Sequence, residues 1–243
     1  MDKNIEFKKQ NGKKILQMQR DKNLKNISKK WFLESYQYEY SYHFSWLGRP
    51  IIQYPQDMIA IQEIIWKYKP DFIIETGIAH GGSLILSASI LELIGKGEVI
   101  GIDIDIREHN KKEIKKHPLF KRITMLEGSS ISKKIENKIF ELTKNKKVLV
   151  FLDSNHTEKH VLKELELYSP LVKKGGYIIV FDTIIDILPE KFVKNRPWNT
   201  KNNPKSAVKK FLKDNNRFKM DKKLQEKLLI TAAEDGYLKC IKN

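Results

Sequence analysis

A single cysteine, Cys240, occurs in 243 residues, so no disulfide forms within the chain and a reducing compartment suits it. No apolar run comes near the roughly 18–20 residues that a membrane-spanning helix needs. The opening MDKNIEFKKQNGKK is basic and polar with no hydrophobic centre, unlike a secretory signal. The expectation is a soluble cytoplasmic protein. Acidic charge is also short: 46 Lys and Arg stand against 30 Asp and Glu, a net +16. Such an excess invites a nucleic-acid partner. Against that, the lysines are scattered among Asn and Ile, and no RNP or KH signature occurs. The charge reads instead as solvated lysines on helix faces, compatible with an acidic or phosphorylated small substrate.

What is present begins with aromatics. Residues 1–30 are polar and Lys-rich, a candidate helical arm. Between Trp31 and Tyr54 come Phe32, Tyr36, Tyr38, Tyr40, Tyr42, His43, Phe44 and Trp46. So dense a cluster packs onto the domain or a neighbouring subunit, or walls a substrate pocket; the sequence leaves both open. Residues 1–55 are read as an N-terminal extension and 56–243 as one α/β domain. A helix over 56–69 carries Met58, Ile61, Ile64 and Ile65 on one face and stops at Pro70. Strands are then expected over 71–76, 99–104, 123–127, 147–152 and 177–181, alternating with helices over 83–94, 108–116, 132–143 and 157–168. Near-continuous apolar strands separated by helices imply a parallel sheet covered on both faces. After a Pro- and Asn-rich loop and a helix near 205–212, strand-like segments lie at 218–220, 228–233 and 237–241, with Asp235-Gly236 a hairpin signal between the last two. The fold class expected is Rossmann-like α/β, a mostly parallel seven-stranded sheet closed by a C-terminal antiparallel hairpin.

The stretch Glu75-Thr76-Gly77-Ile78-Ala79-His80-Gly81-Gly82-Ser83 is strand, glycine turn, helix. Such a turn lets backbone approach a ligand in front of a helix N-terminus. It lacks the G-x-G-x-x-G register of a pyrophosphate site. Together with the tail hairpin, that points to S-adenosylmethionine (SAM), which has no pyrophosphate. The cofactor set read here is Glu75, Gly77, His80, Gly81 and Ser83 on the turn, Asp103 for the ribose hydroxyls, Gly128 and Ser129 beside the adenine, and Asp153. Asp105 competes with Asp103, and Glu127 is as readily a plain edge residue. Asp153 closes strand four and Asp182 follows strand five, so adjacent parallel strands set two carboxylates over one crevice. They are candidate ligands for Mg²⁺ or another divalent cation, which would lower the pKa of a substrate hydroxyl. His156, three residues past Asp153, is the candidate general base; His160 reads as an ordinary helix histidine.

Several stretches resemble the cephalosporin hydroxylase family, a group with the SAM-dependent methyltransferase fold. They include Trp46-Leu47-Gly48-Arg49-Pro50, Glu75-Thr76-Gly77, Gly101-Ile102-Asp103, Asp153-Ser154-Asn155-His156-Thr157, Arg196-Pro197-Trp198 and Asp235-Gly236-Tyr237-Leu238. The resemblance implies a SAM-binding core, a metal near Asp153 and Asp182, and homo-oligomers. More distantly the chain is similar to catechol-type O-methyltransferases, in which a lysine base holds the spacing that His156 holds here. One departure stands out: the family shows Glu-Asp after strand five, and this chain has Phe181-Asp182. Alternation along the strand would point Phe181 away from a ligand, removing one metal ligand that Thr183 or Ser154 could replace in part. The activity expected is O-methyl transfer from SAM to a hydroxyl of a small molecule, a sugar by family analogy. The alternatives are an oxygenase component and a non-catalytic SAM-fold or nucleic-acid-binding protein.

Overall fold

In a computed structural model describing residues 2–243, the alternating pattern becomes a seven-stranded sheet. After helices α1 (Lys3–Arg20) and α2 (Lys22–Tyr36), a small hairpin of β1 (Phe44–Trp46) and β2 (Arg49–Ile51) leads to α3 (Pro55–Tyr68). There follow β3 (Phe72–Thr76), α4 (Gly82–Ile94), β4 (Glu98–Asp103), α5 (Glu108–Lys116), β5 (Ile123–Glu127) and α6 (Lys133–Thr143). Then come β6 (Val148–Leu152), α7 (Glu158–Tyr168), β7 (Tyr177–Val180), α8 (Pro204–Asp214), β8 (Phe218–Met220), α9 (Lys222–Leu228) and β9 (Tyr237–Cys240). The sheet order is β5-β4-β3-β6-β7-β9-β8. Pairing is parallel from β5 through β7 and antiparallel for β7–β9 and β9–β8. The order turns at β3, where successive crossovers run to opposite sides. A crevice forms there at the strands' C-terminal ends.

Both sheet faces are apolar, as the unbroken strand runs require. One is covered by α3 and α4, with Ile61, Ile65, Leu84 and Leu91 on Ile73, Leu149 and Phe151. The other is covered by α6, α7 and α8, with Ile139, Leu165 and Phe211 on Ile74, Val150 and Ile178. Asn203 starts α8 with a capping box to Ser206 and Pro204 in the first turn, as its residue types favour. Among the described residues no helix is long and apolar enough to cross a membrane.

The aromatic stretch packs onto the domain and also lines a cavity. Phe32 stacks on Tyr54 with ring centroids 4.8 Å apart, and the pair packs with Ile184, Leu188 and Val193 in a third apolar cluster. Tyr36, Tyr40 and Tyr42 meanwhile line a cavity over the crevice.

The tail differs from the expectation at one place. Residues 228–233 do not form a strand. The α9 helix ends there, and buried Asp57 takes a backbone donor that a ladder could have used, the Ala232 N–H (2.8 Å), and also accepts from the Thr231 hydroxyl (2.5 Å). A backbone donor claimed by a side chain is lost to any ladder, and such bonds compete with strand pairing. Asp235-Gly236 accordingly closes a local turn, with Gly236 N–H donating to the Ala233 carbonyl (2.9 Å). The antiparallel hairpin is β8 with β9, and α9 lies within its connection.

Candidate active site

The glycine turn is shaped by contacts from three directions. Gly77 has φ +91°, and a Cβ there would lie 2.0 Å from the Asp153 carbonyl oxygen. Only glycine lets β3 pass so close to the start of the β6 loop. Asp103 Oδ2 accepts from the Ile78 N–H (2.8 Å) and Oδ1 from the Asp105 N–H (3.2 Å). Asp103 thus faces the turn from the end of β4, while Asp105 is exposed. Arg49 donates to the His80 carbonyl through Nε (3.0 Å) and Nη2 (2.6 Å), and Asn110 donates to the Ala79 carbonyl (2.9 Å). It is therefore the backbone of His80 that is held; Gly81 caps α4. Gly128 N–H donates to the Asp103 carbonyl (2.7 Å), bringing the Gly128-Ser129 loop beside the β4 end.

Glu75 is a buried acid with an unfilled acceptor. The Ser83 hydroxyl donates to Oε1, and Oε2 has no partner among the described residues. Burial pushes its pKa up to about 7, against the opposing hydrogen bond from Ser83. An orphaned buried oxygen at the head of a glycine turn suits a polar ligand group that donates to it.

Across the crevice, ladder bonds extend past β6 and β7: Asp153 N–H donates to the Thr76 carbonyl (2.9 Å) and Phe181 N–H to the Leu152 carbonyl (3.0 Å). Phe181 is thereby set beside Asp153, and it faces into the same cavity rather than away from it. It is buried, packed with the apolar cluster that holds Ile179 and Tyr237. The acid comes instead from Asp182, whose backbone turns left-handed at φ +54°. Oxygens of Asp153 and Asp182 and a ring nitrogen of His156 all lie within 4.8 Å of one another. His156 Nε2 is 3.3 Å from Asp182 Oδ2, and the ring stands edge-on to Trp198 at 4.8 Å. Burial first, and then the neighbouring Asp182 carboxylate, hold the Asp153 pKa well above the usual range. Gln53 donates to Asp153 Oδ2 (3.1 Å). Thr183 does not join the cluster: it is fully buried, and its hydroxyl is directed at the Ala232 carbonyl (3.4 Å). Ser154 turns away too, donating to Glu164 (2.8 Å).

The cavity above these groups, about 270 Å³, is walled by Tyr36, Tyr42, Tyr54, Phe181, Phe192 and Arg196. Its walls come from α2, the 37–54 segment after it and the 184–204 loop, and its floor from the ends of β6 and β7.

A family model described as Rhamnosyl O-methyltransferase/CmcI matches residues 38–241. The chain belongs to that family. Among curated proteins it is 32% identical over 143 residues to the rhamnosyl O-methyltransferase of Mycobacterium leprae, covering 57% of this chain and 60% of that protein. It is 34% identical over 139 residues to the protein of that name from Mycobacterium bovis, covering 54% and 53%. The chain thus spans little more than half the length of the curated relatives it matches. Solved structures of CmcI superpose with TM-scores of 0.56 (apo) and 0.57 (Mg-SAM) at 18% identity, over 83% and 82% of this chain and 78% and 77% of theirs. An O-methyltransferase from Bacillus cereus, in complex with SAH, superposes at 0.50 with 15% identity over 79% of this chain and 81% of its own. At such identities the likeness shows the fold.

Four site residues lay beyond the sequence reading. Gln53 and Asn110 reach the site from elements distant in sequence, and Arg49, though part of the quoted Trp46–Pro50 stretch, had no role assigned. Trp198, part of the Arg196-Pro197-Trp198 stretch, gave a signal without a role. It proves to be the wall against His156.

Proposed function

We propose that this chain is a SAM-dependent O-methyltransferase acting on a hydroxyl of a sugar. The observation that carries the reading is the facing pair of half-sites. Orphaned Glu75 and the glycine turn lie on one side of the crevice; Asp153, His156 and Asp182 lie on the other, under an aromatic cavity. The names of the relatives and the Mg-SAM and SAH complexes of the fold neighbours support it. Glu75, the Gly77 turn, Asp103 and the Gly128-Ser129 loop would hold SAM. Asp153 and Asp182, with waters, would hold a divalent cation, two carboxylates being a donor set that suits a hard ion. Bound there, SAM supplies an electrophilic methyl group and the cation makes an acceptor hydroxyl more acidic.

The chain's own residues do the rest. His156 Nε2 takes the hydroxyl proton, and the Asp182 carboxylate at 3.3 Å stabilises the resulting imidazolium. Trp198 fixes the ring against rotation. Tyr36, Tyr54 and Phe181 exclude water, and flat aromatic faces suit the apolar face of a pyranose. Since methyl transfer is a displacement between two held partners, positioning supplies most of the rate. One imidazole with two carboxylates is not the two-histidine, one-carboxylate set of non-haem iron oxygenases, so the hydroxylase reading gains nothing from the site.

Calorimetry with SAM and S-adenosylhomocysteine (SAH) tests the cofactor, and absence of binding by both sinks the proposal. Methyl transfer to rhamnosylated acceptors tests the chemistry. His156→Ala is expected to lose about 10²–10⁴-fold in turnover, the usual worth of a general base, while binding SAM as the wild type does. Unchanged turnover would reassign the base.

A further inference from the structure

On the opposite face of the sheet from Phe181 lies a second polar cluster to which the reaction above assigns nothing. Glu164, on α7, is fully buried. Its Oε1 accepts from the Ser130 hydroxyl (2.6 Å) and from the Ser154 hydroxyl (2.8 Å). His160 Nε2 lies 3.0 Å from the same Ser130 hydroxyl and 3.4 Å from Glu164 Oε1. Tyr168 donates to the Ser130 carbonyl. Glu164 Oε2 is buried with no partner. Among the described residues no lysine or arginine pairs with Glu164, and His160 is its one basic neighbour; burying an acid so costs stability, and a Leu on this apolar helix face would pack without that cost.

The two hydroxyls belong to loops that share no ladder. Ser130 ends the Gly128-Ser129 loop after β5, and Ser154 sits beside Asp153 after β6; β4 and β3 lie between these strands. At ~4.8 Å per strand spacing, the strand ends are roughly 14 Å apart. Among the described residues only the carboxylate of Glu164 bonds to both.

We infer that Glu164 is a positioning residue that fastens the loop flanking the cofactor to the loop carrying Asp153 and His156. It holds the two halves of the site at one separation. The inference rests on the methyltransferase reading for what the loops hold, though not for the bridge itself.

Two readouts test it without any acceptor: the calorimetric affinity for SAH, and the imidazole resonances of His156 at fixed pH. Ser130→Ala is expected to weaken SAH about tenfold, the worth of one hydrogen bond to a charged group, and to leave the His156 resonances in place. Ser154→Ala is expected to move the His156 resonances and keep SAH affinity. Glu164→Leu is expected to do both. Glu164→Gln, which keeps one oxygen for the two hydroxyls, is expected to do neither.

A residue that only filled space would change the melting temperature and leave both readouts alone. The inference is overturned if Glu164→Leu, or both serine variants should that one not fold, match the wild type in SAH affinity and in His156 resonance. It is equally overturned if Glu164→Gln falls as far as Glu164→Leu. Failure of the wild type to bind SAH would refute the methyltransferase reading instead, and the His156 arm would still judge the bridge.

Discussion

Gly77→Ala isolates the closest backbone approach in the site. The added Cβ would meet the Asp153 carbonyl oxygen at 2.0 Å and its carbon at 2.7 Å. Both are backbone atoms, with no flexible side chain to yield. A left-handed conformation costs a non-glycine residue roughly 1–2 kcal/mol, and forcing an extra methyl into a packed site adds about 1–3 kcal/mol. The sum is roughly 2–5 kcal/mol, which for a domain this size lowers Tm by roughly 4–20 °C. Gly95→Ala supplies the control. Its φ is +83°, yet nothing lies within 4 Å of the built Cβ, so it should cost only the left-handed share, about 1–2 kcal/mol. Thermal and urea unfolding measure both variants. Because the clash is with Asp153 itself, Gly77→Ala should also weaken SAM binding in calorimetry, whereas Gly95→Ala should not. Equal destabilisation of the two variants, with unchanged SAM affinity, would refute the claim that the turn is held against the Asp153 loop.

The other outcomes concern charge. The Glu75 pKa of about 7 lies above its ordinary 4.5, so the folded protein holds a proton that the unfolded chain releases. This group's contribution therefore falls as pH rises between those values and is level above them. Glu75→Gln should flatten the pH dependence of the unfolding free energy, taken from urea titrations, over that window by up to ~1.4 kcal/mol per pH unit; parallel curves would refute the assignment. Phe181→Glu would place a third carboxylate beside Asp153. It should tighten Mn²⁺ binding, read by electron paramagnetic resonance, and destabilise the metal-free fold through burial of a charge. No change in Mn²⁺ affinity would show that Phe181 does not face the cluster.

The sheet was legible because buried parallel strands are written as unbroken apolar runs, and the acids because they stand at strand ends where the chain leaves the core. Asp103, Asp153, His156 and Asp182 are each one turn or less from such an end. Partners contributed across the fold were not legible. Nothing near Arg49 or Asn110 says that both will hold carbonyls of the glycine turn. Glu164 reads locally as one more polar position on a helix, because its significance lies in two serines from separate loops. The false strand at 228–233 has the composition of a strand, and only the distant carboxylate of Asp57 decides that its hydrogen bonds go elsewhere. The aromatic stretch announced burial, but composition cannot apportion Phe32 to the core and Tyr36 to the cavity.

Asp182 shows how a site can be completed by backbone rather than by sequence. Register sets Phe181 beside Asp153, so a continuing strand would send the next side chain to the opposite face. The left-handed turn at φ +54° brings that carboxylate back over Asp153 and His156. A non-glycine residue held so costs ~1–3 kcal/mol and persists where its surroundings require it. Turn and charge can be separated. Asp182→Asn should keep the turn, since asparagine tolerates the left-handed region, and lose Mn²⁺ binding with little change in stability. The Asp153 pKa should move back toward the ordinary range as its carboxylate neighbour is removed. Asp182→Ala should lose Mn²⁺ binding and, in addition, roughly 1 kcal/mol or more of stability from the strained backbone. If alanine is tolerated as well as asparagine, the turn is not imposed by the fold, and the placement of the second carboxylate would need another cause.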